Sequence, residues 1–306
     1  MSERKGAPSA RIMNNPFALA LISVGVGLLV FGLKLLAAEI TGSVALFSDA
    51  MESIVNIMTA GAAALALRIS AAPPDDNHPY GHSKVEYFSA VLEGVLIAVA
   101  ALAILSAAYD GFLDPQPLNA PIAGLSINAL ASVINGVWAT ILVRRGRALR
   151  SPALVADGKH ILTDVFTSGG VIVAVILVQL TGWLVLDPLI AALVALNILW
   201  AGWGVMREAV GGLMDEASPD DIAKVGTIIG EHADGALEAH DIRIRHAGRR
   251  TFIEFHLIVP GAMSVAAAHA ICDKIEAALR REIEDSTITI HVEPEHKAKN
   301  VGVVLE

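Results

Sequence analysis

The chain has one cysteine, Cys272, in 306 residues, which excludes an intramolecular disulfide framework and any cysteine-rich zinc finger. Charge is also scarce. Asp, Glu, Lys and Arg make up 17% of the chain, against roughly 25% in ordinary soluble domains. Aromatics are few, at 5%, yet hydrophobic residues reach 54% and the mean hydropathy is +0.59. Such a chain is too apolar to be a soluble protein and too apolar to be disordered. A basic excess is absent as well: the net charge is −9 and the pI near 5.6, which argues against a nucleic-acid partner. The length suits several membrane spans and one small soluble domain.

Six apolar runs are present, at 17–38, 44–67, 87–109, 120–143, 154–180 and 186–206. Each meets the roughly 20 residues that a helical span needs. The first is too long for a signal peptide, and a second span follows it closely. The composition then changes: residues 209–306 hold most of the charge and seven of the ten histidines. We therefore expect a cytoplasmic N-terminal tail (1–15), a six-helix all-α transmembrane domain (16–208) and a soluble α/β domain (209–306). Lys and Arg are missing from the links 39–43, 110–119 and 181–185, but present in the N-terminal segment (Arg4, Lys5, Arg11) and in the other two links (Arg68, Lys84; Arg144, Arg145, Arg147, Arg150). All three bare links fall on one side, so both termini are expected in the cytoplasm.

Ionisable groups inside spans are costly and usually functional. Lys34, near the outer end of span one, reads as a lysine that snorkels to the interface. Glu86 reads as interfacial, Glu93 is open, and Asn135 reads as interhelical glue. Spans two and five differ from the rest. Span two carries Asp49, Glu52 and Asn56; span five carries Asp157, His160 and Asp164. Both sets are spaced i, i+3, i+7, which is one face of a helix. Glu52, Asn56, His160 and Asp164 then offer two carboxylates, an imidazole and an amide oxygen, a set of charge −2 that suits a divalent cation. The alternative is helix–helix hydrogen bonding, but two buried carboxylates facing each other without a cation are costly. The link between spans two and three reads Asp75-Asp76-Asn77-His78-Pro79-Tyr80-Gly81-His82. Its Pro and Gly make it a loop, and Asp75, His78 and His82 are a candidate second metal site.

On these residues the chain resembles the cation diffusion facilitator family. The match runs from about Pro16 to Glu293. It rests on the stretch from Thr41 to Ala50 leading into span two, on Asp75 to Glu86, on His160-Ile-Leu-Thr-Asp164, and on six spans followed by a soluble domain. The resemblance implies a homodimeric antiporter in the inner (plasma) membrane that exchanges cytoplasmic divalent metal for external protons. It places the transport site on Glu52, Asn56, His160 and Asp164, and the loop site on Asp75, His78 and His82. It also implies that Lys84 and Asp215 pair at a hinge that holds the dimer together. The chain departs from the family at span two, where His or Asp and then Asp are usual. Asn56 supplies a neutral oxygen, so the site is harder and turns from zinc toward Mn²⁺ or Fe²⁺. A monovalent cation such as Na⁺ is the alternative cargo, with His160 counting against it.

The soluble tail reads helix, strand, strand, helix, strand, the order of a ferredoxin-like α-β-β-α-β domain. Helices are expected over 219–232, with Ser218 as N-cap, and over 265–283; strands over 240–246, 251–259 and 287–293. Cys272 falls on the buried face of the second helix. Phe252, Glu254, His256 and Ile258 share one strand face; Thr289, His291 and Glu293 share another. His240, His256 and His291, one from each strand, can gather a metal with Glu293. The family resemblance extends a regulatory site to His240, His256, His269, His291 and Glu293, formed partly at the dimer interface, although His269 with Asp273 also reads as a surface pair. No cofactor is expected beyond transported and regulatory divalent metals. Two other classes of protein fit less well. An intramembrane metalloprotease would need His-Glu-x-x-His or an equivalent, which the chain lacks. A membrane-tethered metal sensor would not need the buried polar groups of spans two and five.

Overall fold

The computed structural model describes residues 14–41, 44–114, 122–299 and 303–304; a few helical side chains within these, Asp49 and Glu52 among them, lie outside the described set. The chain divides into two compact units, Met1–Val210 and Gly211–Glu306.

The first unit is built from long helices: α1 (Pro16–Thr41), α2 (Val44–Ser70), α3 (Val85–Leu113), α4 (Ile122–Ala148), α5 (Pro152–Thr181) and α6 (Leu186–Leu213). Most run a few residues past the apolar stretches into polar flanks, where the end groups that lack intrahelical partners can reach water or capping side chains. Among the described residues, four stretches are long and apolar enough to cross a bilayer: Pro16–Ala37, Val85–Leu113, Gly124–Ala148 and Pro188–Leu213. The other two helices, α2 and α5, carry the polar residues singled out above. Large apolar side chains such as Leu28, Leu102, Val133 and Trp200 stay exposed on the outside. An apolar surface of this extent belongs in lipid, so the unit is a helical membrane domain.

Helix α5 is well delimited. Ser151 caps its first turn by accepting the Leu154 N–H at 3.5 Å, Pro152 opens it, and Gly182 closes it in the left-handed region at φ 74°. It packs closely on α4. A Cβ on Gly146 would lie 2.9 Å from the Val155 backbone nitrogen, and one on Gly158 would lie 3.0 Å from that of Val143. Small residues allow this approach, and it fixes α5 beside Asn135 of α4. Helices α1 and α2 also pack against α5.

The second unit contains α7 (Pro219–His232), β1 (Glu238–Ala247), β2 (Arg250–Val259), α8 (Val265–Glu282), β3 (Ser286–Pro294), a 3-10 turn (Glu295–Lys297) and β4 (Val303–Val304). Ser218 and Ser264 cap the two helices through the N–H groups of Asp221 and Ala267, at 3.1 and 3.2 Å. The sheet order is β3-β2-β1-β4, with β1 antiparallel and β3 parallel to β2. The two-residue strand β4 was not read from the sequence, being too short to show a period. The core joins Ile229 of α7, Ile271, Cys272, Ile275 and Leu279 of α8, and Ile253, Phe255 and Leu257 of β2. Cys272 is buried there, and burial raises its thiol above the ordinary value.

Candidate functional site

The membrane site is built on α5. His160 and Asp164 lie one turn apart and are 5% and 3% exposed. Neither ring nitrogen of His160 has a hydrogen-bond partner among the described residues. The Asp164 carboxylate, in contrast, is held from two other helices. Lys34 Nζ of α1 donates to Oδ1 and Oδ2 at 3.0 and 3.1 Å, and Asn135 Nδ2 of α4 donates to Oδ2 at 2.7 Å. Asn56 is buried on α2, while the Glu52 side chain lies outside the described residues.

Lys34 corrects the expectation of a snorkelling lysine: it is 1% exposed and paired in the interior. Opposite charges attract far more strongly where water is excluded, so pairing inside competes well with reaching the surface. Glu86 lies in the first turn of α3. It is buried and accepts hydrogen bonds from Ser70 at the end of α2 and Ser151 at the start of α5. Asn135 does bridge helices, and the partner is a proposed ligand.

A second buried acidic group lies two turns toward the start of α5. Asp157 is fully buried and accepts from Ser23 Oγ at 2.7 Å, while Trp138 Nε1 donates to that same hydroxyl at 3.1 Å. Glu93 of α3 is 1% exposed, and α3 packs against α5. Both Glu93 oxygens and Asp157 Oδ1 lack hydrogen-bond partners among the described residues. The sequence reading left Glu93 open. A rare carboxylate in the middle of an apolar run was the available signal.

In the loop, the structure brings Asp75, His78 and His82 together. His78 Nδ1 is 3.0 Å from Asp75 Oδ1 and His82 Nε2 is 3.3 Å from Oδ2. The two rings stand 4.3 Å apart, and one potential ligand atom from each of the three residues falls within a sphere of contact suited to a metal ion. The His78 backbone N–H, donating at 2.7 Å, is the main reason that the Asp75 carboxyl is held below its ordinary value. Such a group stays ionised, as a ligand must.

In the second unit, strand register makes the cluster. His240 of β1 stands opposite His256 of β2, and His256 stands opposite His291 of β3. His240, His256 and Glu293 are close enough to share a metal: Glu293 Oε2 is 3.4 Å from His240 Nε2 and 3.3 Å from His256 Nδ1. Glu238, two residues before His240 and so on the same strand face, was missed. It takes His240 Nδ1 at 2.9 Å and fixes that ring from behind. The pairing slips by one residue between His240 and Arg243. This bulge leaves Asp241 at φ 52°, with its carboxylate accepting from Lys299 Nζ at 2.6 Å. His291 flanks the cluster, its ring 5.0 Å from that of His256. His269 does not join it: it is an exposed residue of α8, 3.7 Å from Asp273, because a helix on the other face of the sheet cannot reach the histidine row.

Lys84 stands at the N-cap position of α3, and Asp215 follows α6 with φ 62°.

A helical membrane domain with buried polar groups, joined to a small metal-competent sheet domain, defines a membrane cation transporter. Residues 20–214 match the family model of the cation efflux transmembrane domain, and residues 217–295 that of the cation efflux protein cytoplasmic domain. An uncharacterized transporter of Synechocystis sp. is 45% identical over 276 residues, spanning 90% of this chain and 89% of that protein. The cation-efflux pump FieF of Escherichia fergusonii is 30% identical over 275 residues, spanning 90% and 91%. The solved metal-bound C-terminal domain of the CzcD transporter from Thermotoga maritima is 30% identical, covering 27% of this chain and all of that one, with a TM-score of 0.25. The chain belongs to the cation diffusion facilitator family.

Proposed function

We propose that the protein exports a divalent transition-metal cation (Zn²⁺, Fe²⁺, Mn²⁺ or similar) from the cytoplasm in exchange for protons, as a homodimer. The observation that carries this reading is His160. A buried imidazole with neither nitrogen partnered among the described residues is costly, and one turn from a carboxylate it is a ligand pair suited to a cation. Glu52 and Asn56 complete the transport site from α2. The loop triad collects metal on the cytoplasmic side, and His240, His256 and Glu293 form a regulatory site, with His291 beside it contributing at the dimer interface. Lys84 and Asp215 pair at the hinge. The six long helices span the inner membrane with both termini in the cytoplasm, which the placement of Lys and Arg supports. The tail takes the ferredoxin-like arrangement, and no enzymatic step is involved. A metal ligand must be deprotonated, so metal and protons compete for the same groups, and an inward proton gradient drives export.

The test is transport into sealed inverted vesicles with a panel of metals and an imposed proton gradient. The wild-type chain should accumulate one or more divalent metals, and Asp164→Ala should abolish this at normal expression and dimerisation. Full transport by Asp164→Ala would overturn the site.

A second reading, a monovalent cation such as Na⁺ exchanged for protons, is favoured by one observation. Lys34 adds a positive charge against Asp164. With Glu52 and Asp164 ionised, the site then carries −1 in place of −2.

A further inference from the structure

The cation already bonded to Asp164 has a consequence for cargo. Lys34 Nζ lies 3.0 and 3.1 Å from the two carboxylate oxygens, and both side chains are almost fully buried. Asn135 Nδ2 also donates to Oδ2, at 2.7 Å. Two donors from α1 and α4 thus bond to both oxygens through which Asp164 would bind a cation, and one of the donors is itself a cation. A metal and an ammonium cannot both sit about 3 Å from one carboxylate without repelling each other in a poorly screened interior.

We propose that the Lys34 ammonium is a tethered counter-cation of the membrane site: it holds Asp164 when no cargo is bound, and a cargo cation must displace it to enter. The inference rests on the transport-site reading above. Lys34 stays charged throughout and only changes partner. The exchange has two effects. It keeps the buried carboxylate paired in the unloaded carrier, which avoids an isolated charge in the membrane. It also sets selectivity, since a residual positive charge repels a divalent ion about twice as strongly as a monovalent one. Lys34 is thus a specificity-determining residue that the metal ligands alone do not reveal.

The experiment is calorimetric binding of Zn²⁺, Mn²⁺ and Na⁺ at one fixed pH. It uses the full-length chain carrying Asp75→Ala and His256→Ala, so that the loop and tail clusters do not contribute. Lys34→Gln keeps a hydrogen-bond donor but removes the charge. It should bind Zn²⁺ and Mn²⁺ at least about tenfold more tightly, and should shift preference away from Na⁺. Lys34→Arg keeps the charge and grips a carboxylate with two N–H groups. It should bind both divalent ions about threefold or more weakly, which provides a readout if Lys34→Gln does not fold. Unchanged or weaker divalent binding in folded Lys34→Gln, or unchanged or tighter binding in Lys34→Arg, overturns the tether. Asp164→Asn separates the two readings. If it abolishes binding while the Lys34 variants have no effect, only the tether fails. If it binds as the parent does, the transport site itself fails.

Discussion

Asn56 is the neutral oxygen donor in a proposed ligand set whose other oxygens come from carboxylates. Its side chain is buried on α2, so an added charge there acts at low screening. We predict that Asn56→Asp shifts metal preference several-fold toward Zn²⁺ in vesicle transport. An unchanged selectivity profile would remove Asn56 from the ligands. Residue chemistry of this kind was legible early, because the spacing of polar groups on one helix is a local property. Lys34 was not. Its position near the end of an apolar run gave no hint of a carboxylate 130 residues further along the chain. Two opposite charges inside spans have reason to meet, but several spans were open to each.

At the scale of elements, the β1-β2-β3 register does the work in the tail. Alternation alone put His256 on one face of β2 and His291 with Glu293 on one face of β3. Only the pairing aligned His240, His256 and His291 in a row. We predict that His256→Ala weakens divalent-metal binding by the tail (211–306) by more than about tenfold, since even outer-shell partners are worth roughly 10–100-fold. Retained affinity would show that the row is a solvated strand surface. The bulge makes a separate prediction. Asp241 is held below its ordinary value, first by its hydrogen bond from Lys299. A depressed carboxyl stabilises the fold above its unfolded value, about 3.9 for Asp, and that contribution is lost as pH falls through the folded value. Asp241→Asn should therefore lower the melting temperature of the tail at neutral pH, with the gap closing in acid below about pH 4. A gap that persists or widens there would mean that the ion pair is not its source.

At the scale of the whole molecule, the proposed pair of Lys84 and Asp215 carries a prediction about the dimer. Lys84 opens α3 in the first unit and Asp215 belongs to the second. An exposed pair contributes only about 0–1 kcal/mol, and a shielded one more. We predict that Asp215→Ala loosens the dimer and impairs transport without changing metal binding by the tail. Lys84→Asp combined with Asp215→Lys should recover part of the loss. A double-mutant cycle on dimer stability with no coupling between the positions would reject the hinge.

The sequence by itself determined the membrane class, the long helices and their approximate ends, the order of elements in the tail and the loop triad. These follow from composition, from periods of 3.6 and 2, and from a capping residue such as Ser218, all of which act within a few residues. Tertiary structure alone decided who meets whom across the bundle and the sheet. It gave Asp164 to Lys34 and Asn135, set Asp157 against Ser23, and left His269 away from the histidine row. Burial makes an unpaired polar group costly, but that cost does not say which partner relieves it. The close approach of α4 and α5 at Gly146 and Gly158, and the strand register in the tail, make that choice.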